Sequence, residues 1–146
     1  MNGLQPILLV EDNANDVELT LLAFSKHKLA NRIDVVHDGE EAIEYLKRTG
    51  KFQDRAPVNP SVVLLDIKMP KVNGLEVLRV IKTDPGLKII PVVMLTSSKD
   101  DNDLMSSYKL GANAYIVKPV DFHEFVEAIK HIGVFWAILN TVPECT

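Results

Sequence analysis

The sequence predicts a doubly wound α/β domain, a five-stranded parallel sheet with helices on both faces. Two observations predict it. Apolar, β-branched-rich runs alternate with helix-periodic stretches about five times, at about 29 residues per unit, close to the roughly 30 that a β-α-β crossover needs. Several runs are also apolar throughout rather than alternating, as strands buried on both faces are. The chain of 146 residues is long enough for one core and short for two. It is therefore expected to be a single domain, with its core at about residues 6–131 and a helix extension and tail over 132–146.

Taken in order, Ile7 to Val10 (ILLV) forms the first strand. Asn13 and Asp16 offer caps for a helix over Asn15 to His27. Ile33 to Val36 is the second strand and Glu40 to Thr49 the second helix. The stretch GKFQDRAPVNPS at residues 50–61 carries two prolines and reads as a surface excursion. Val62 to Leu65 and Pro91 to Leu95 are the third and fourth strands, separated by a helix over Leu75 to Lys82. A helix over Asp101 to Leu110 precedes the fifth strand, Ala114 to Val117. Asp121, with Glu124 three residues on, opens a last helix predicted to reach Leu139. Phe122, Phe125, Ile129, Ile132, Trp136 and Leu139 give this helix one apolar stripe. Met69, Met94 and Met105 read as packing, and the four histidines show no metal-ligand spacing.

Composition narrows the function. A net charge of −4 and a pI near 5.5 argue against nucleic acid as the partner, which would demand clustered Lys and Arg. No apolar run approaches the roughly 18 to 20 residues of a membrane span. The start of the chain lacks a basic region and a cleavage site, and the lone Cys145 has no internal disulfide partner. A cytoplasmic protein with no membrane and no nucleic-acid partner is expected.

In such a sheet the ligand site forms outside the carboxyl ends of the strands. The first apolar run stops at Glu11 and Asp12, the third at Asp66, the fourth at Thr96 and Ser97, the fifth at Lys118. If the first and third strands are neighbours, as in the flavodoxin-like order 2-1-3-4-5, three carboxylates converge. Unless a cation joins them, one must keep a proton and a raised pKa. Mg²⁺, a hard ion that accepts a few carboxylates and keeps open positions for phosphate oxygens, suits the set. One divalent ion and Lys118 formally balance the three carboxylates. An aspartate so placed can attack phosphorus, with metal and lysine meeting the charge on the equatorial oxygens. Asp66 is the natural nucleophile, held forward by the turn Ile67, Lys68, Met69, Pro70.

LLVEDN at 8–13, LLDIKMPKVNG at 64–74, VVMLTSS at 92–98 and GANAYIVKP at 111–119 carry a resemblance to the receiver domain of two-component response regulators. It covers about Pro6 to His131 and is strongest to the stand-alone regulators that serve phytochrome-type histidine kinases. The resemblance implies that Asp66 is the phosphoacceptor in a phosphorelay. It also implies that Glu11, Asp12, Asp66 and the backbone carbonyl of Lys68 hold Mg²⁺, for which Mn²⁺ can substitute. Lys118 contacts the phosphoryl group, Thr96 reports its arrival, Tyr115 is the switch aromatic, and Pro119 is often cis. Glu11 stands where the family often has aspartate, which leaves direct or water-mediated contact to the metal open there.

Beyond Ile132, GVFWAIL is apolar on every side and must be covered, by its own domain or by a second subunit. The resemblance implies a homodimer through the helix 4, strand 5, helix 5 face, with Phe135, Trp136, Ile138 and Leu139 at the contact. Two rival functions fit less well. An Asp-nucleophile phosphatase needs a general acid two residues on, where Lys68 stands, and a phosphate-independent binding module has no need of the full acidic and basic set. The expected protein is a phosphoacceptor signalling domain rather than an enzyme, with a sensor histidine kinase as partner and output through protein contacts.

Overall fold

The computed structural model describes residues 5–27, 31–97 and 101–132. Its strands are β1 (Ile7–Val10), β2 (Ile33–Val36), β3 (Val62–Asp66), β4 (Val92–Thr96) and β5 (Ala114–Val117). They pair in parallel in the order β2-β1-β3-β4-β5, as expected. The helices are α1 (Ala14–Ser25), α2 (Gly39–Lys47), α3 (Gly74–Thr83), α4 (Asp101–Lys109) and α5 (Phe122–Ile132). The predicted continuation of the last helix to Leu139, and with it Phe135, Trp136, Ile138 and Leu139, lies outside the described residues.

Each apolar strand feeds two cores at once. Leu8, Val10, Val63, Leu65 and Met94 pack with Tyr45 and Leu46 of α2 and Val77, Leu78 and Ile81 of α3. Ile7, Leu9, Val62, Leu64, Val93 and Leu95 pack instead with Val17 and Phe24 of α1 and Phe125 and Ile129 of α5. Side chains alternate across a strand, so an uninterrupted apolar run is what a two-sided core requires.

Helix starts follow short polar caps. The Asn13 side chain accepts from the Asp16 backbone N–H at 3.0 Å. Asp38 caps α2, and Asn73 with Glu76 forms a reciprocal capping box on α3. For α5, Asp121 accepts from the Glu124 N–H at 3.1 Å. Asp16 differs from the expectation: Asn13 alone is the cap of α1, and the Asp16 carboxylate is used elsewhere.

The 50–61 excursion is tied down. It contains a short 3₁₀ turn, Gly50–Phe52, whose Phe52 ring meets Tyr45 edge-on at 5.3 Å. The Arg55 guanidinium lies 3.9 Å from the centre of the Tyr45 ring, and its Nε donates to the Tyr45 carbonyl at 3.0 Å. Lys51 pairs with Glu41 of α2. Met69 and Met94 are buried as expected, but Met105 is 60% exposed, because it stands on the outer side of α4.

A close backbone approach requires glycine at one position beside the strand ends. Gly74 opens α3 directly over the end of β3, and its N–H donates to the Ile67 carbonyl at 2.8 Å. A Cβ there would run into the Asp66 carbonyl oxygen and lie 2.8 Å from the Ile67 Cα, both backbone atoms that cannot swing aside. Gly74→Ala should therefore destabilise the fold by about 1–3 kcal/mol, the usual range for forced overpacking. Urea unfolding checks this, and an unchanged midpoint contradicts it.

Candidate functional site

The sheet register brings the site together. Val10 pairs with Leu65, so the next residues along, Glu11 and Asp66, end adjacent strands side by side. Asp66 in turn lies opposite Leu95, and Thr96 opposite Val117. The Lys118 N–H donates to the Thr96 carbonyl at 2.7 Å, carrying the lysine to the same edge. The Lys118–Pro119 peptide is cis. A cavity of about 230 Å³ opens at this mouth, lined among others by Glu11, Asp12, Asp66, Lys68, Thr96 and Lys118.

Glu11, Asp12 and Asp66 each offer an oxygen, all within 4.8 Å of one another. Glu11 is 1% and Asp66 4% exposed, while Asp12 sits at the open rim. Lys118 Nζ lies 3.1 Å from Glu11 Oε1 and 3.4 Å from Asp66 Oδ1. Burial, and then the neighbouring Glu11 charge, push the Asp66 carboxyl up to about 7, with Lys118 working the other way. Burial also disfavours the Lys118 ammonium, but Asp16, Asp66 and Glu11 more than offset it and raise the lysine above its usual range. Three hard oxygen donors around one gap fit a divalent cation, whose charge would oppose the burial and the Glu11 repulsion that raise the Asp66 carboxyl.

Asp16 belongs to this mouth and was not among the expected site residues. Its Oδ2 accepts from Lys118 Nζ at 2.9 Å. Four carboxylates therefore share the mouth with the lysine, and one divalent ion leaves one formal negative charge rather than an exact balance. Tyr115, by contrast, does not line the cavity. It is half-buried on β5, on the same sheet face as Thr96, with Tyr108 of α4 edge-on at 6.2 Å.

Such a fold, with an acidic mouth facing one lysine across the sheet edge, is that of a two-component receiver. The response regulator receiver domain family matches residues 7–130, and the chain belongs to that family. Receiver domains partner with sensor histidine kinases. The chain is similar to the bacteriophytochrome response regulator AtBRR, with 56% identity, a TM-score of 0.87, and 95% of this chain and 99% of that one covered. It is also similar to the Mn²⁺-bound form of response regulator Rcp1, with 35% identity and a TM-score of 0.75 over 94% and 96% of the two chains. Among curated relatives, the probable methanogenesis regulatory protein FilR2 of Methanothrix harundinacea is 38% identical over 94% of this chain and 86% of its own length. No described helix is long and apolar enough to cross a membrane.

The raised Asp66 carboxyl has a thermodynamic consequence. Between its ordinary value of 3.8 and about 7, the native state holds a proton that the unfolded chain releases. Its contribution to stability is thus complete below about pH 4 and lost as pH rises to about 7. In a chelator, the melting temperature should fall across that window more steeply for the wild type than for Asp66→Asn. Parallel slopes in the two proteins contradict the assignment.

Proposed function

We propose that Asp66 accepts a phosphoryl group from a phosphohistidine on a sensor histidine kinase of the phytochrome type, in a Mg²⁺-dependent phosphorelay. The chain then acts as a signalling domain rather than an enzyme on other substrates. The observation that carries the proposal is the approach of Glu11, Asp12 and Asp66 oxygens within 4.8 Å, with Lys118 Nζ 3.4 Å from Asp66 Oδ1. Support for the kinase class comes from AtBRR, described as a bacteriophytochrome response regulator, and for the ion from the Mn²⁺ bound by Rcp1.

In the proposed transfer an Asp66 oxygen forms a bond to phosphorus as the phosphorus–nitrogen bond breaks in line, and the histidine nitrogen leaves with the electron pair. Glu11, Asp12, Asp66 and the Lys68 carbonyl would hold Mg²⁺, which would supply positive charge to the phosphoryl oxygens. Asp66 must enter as the carboxylate, so the proton it holds near neutral pH has to leave first. Lys118 donates to the arriving phosphoryl oxygen, and the Thr96 hydroxyl to another. Tyr115, on the same sheet face as Thr96, would then follow the hydroxyl's movement and alter the α4, β5, α5 face.

Dimerisation belongs to the same proposal: a homodimer forms through the α4, β5, α5 face, with the extension carrying Phe135, Trp136, Ile138 and Leu139 completing it. The open groove on that face, about 740 Å³ and bordered by Tyr108, Tyr115, His123, Glu127 and His131, supports this, as does exposed Met105. Output goes through protein contacts at the same surface. The proposed setting is cytoplasmic, without a nucleic-acid partner.

Incubation with Mg²⁺ and acetyl phosphate should add one phosphoryl mass, absent in Asp66→Asn; incorporation that persists in that variant contradicts the assignment. Sedimentation at micromolar concentration should give a dimer, which Trp136→Glu converts to monomer. A wild-type monomer contradicts the proposed assembly.

A further inference from the structure

Asp16 occupies the third position of α1, after its cap Asn13. An acidic side chain there ordinarily turns back to the cap's own N–H. Glu76 does so on α3, accepting from the Asn73 N–H at 3.1 Å. On α1 that N–H is already taken: the Asn13 N–H donates to Glu11 Oε2 at 3.2 Å. The Asp16 carboxylate is released from capping and reaches across to β5, where it accepts from Lys118.

Three carboxylates surround the Lys118 ammonium. The contacts lengthen in order: Asp16 Oδ2 at 2.9 Å, Glu11 Oε1 at 3.1 Å and Asp66 Oδ1 at 3.4 Å. The two shorter ones are hydrogen bonds that fix the ammonium, and they leave it within ion-pair distance of Asp66. Glu11 and Asp66 also belong to the carboxylate trio that fits a cation, whereas Asp16 does not. It is therefore the anchor that Lys118 keeps whichever oxygens an ion engages. The Asp16 side chain is 29% exposed, so the contact is partly screened yet still charge-assisted.

We propose that Asp16 is a positioning residue for phosphoryl transfer: it anchors the Lys118 ammonium from α1, so that the ammonium stays beside the Asp66 oxygen where the phosphoryl group arrives. The proposal rests on Asp66 being the phosphoacceptor. Asp16 acts only through Lys118 and touches neither the phosphoryl group nor the metal.

The test is a double-mutant cycle on the full chain, reading the rate of phosphoryl incorporation from acetyl phosphate, with Mg²⁺ affinity measured separately by calorimetry. Asp16→Ala should slow incorporation roughly three- to tenfold, as loss of one partly screened charge-assisted contact does. Mg²⁺ affinity should change much less than the rate. Asp16→Asn, which keeps an acceptor oxygen, should recover part of the rate. In a Lys118→Ala background, Asp16→Ala should have no further effect. A wild-type rate in Asp16→Ala, or an equal loss with and without Lys118, overturns the proposal. Failure of the phosphoacceptor assignment looks different: the wild type would take up no phosphoryl group, or Asp66→Asn would still take one up.

Discussion

Carboxylate crowding at the mouth of the sheet is the constraint on which the rest of this structure depends. Glu11 and Asp66 are both nearly inaccessible to water and end adjacent strands, Asp12 and Asp16 stand beside them, and one ammonium, Lys118, faces all but Asp12. Burial and then the neighbouring Glu11 charge outweigh Lys118, so the Asp66 carboxyl is pushed up to about 7, on the edge of ionisation at neutral pH. Positive charge arriving beside a group so poised favours loss of its proton. The same repulsion that costs stability thus favours a cation at the mouth.

A rigid scaffold is needed to keep like charges together. Two cores clamp the sheet from opposite sides, and the strands between them are buried on both faces, so their ends cannot drift apart. The start of α3 is seated on the Asp66 carbonyl through Gly74, which fixes the turn after Asp66. On the other flank, the cis Lys118–Pro119 peptide comes after the last residue of β5 and leads toward α5. Far from the mouth, Arg55, Tyr45 and Phe52 hold the 50–61 segment against α2. That segment is part of the packed body of the domain and lies away from the acidic residues.

The strands were legible because two-sided burial writes itself as uninterrupted apolar runs, and the mouth was legible because the first, third, fourth and fifth runs stop at residues that carry chemistry. Glu11, Asp12, Asp66, Thr96 and Lys118 followed from that single rule. Asp16 did not, because an aspartate three residues beyond an asparagine cap reads as helix capping. Only the prior claim of Glu11 on the Asn13 N–H sends it to Lys118, and that is a tertiary fact. Met105 misled for a similar reason: its hydrophobicity says nothing of which side of α4 faces out. The packing of the 50–61 segment depends on a cation over an aromatic ring, a contact that leaves no periodic trace in the sequence.

Diffraction at the manganese edge, from crystals grown with Mn²⁺, tests the central claim most directly. A cation mouth requires one anomalous peak among Glu11, Asp12 and Asp66, roughly 2 to 2.5 Å from carboxylate oxygens of Asp12 and Asp66. A peak elsewhere on the surface, with water alone between these side chains, would contradict it.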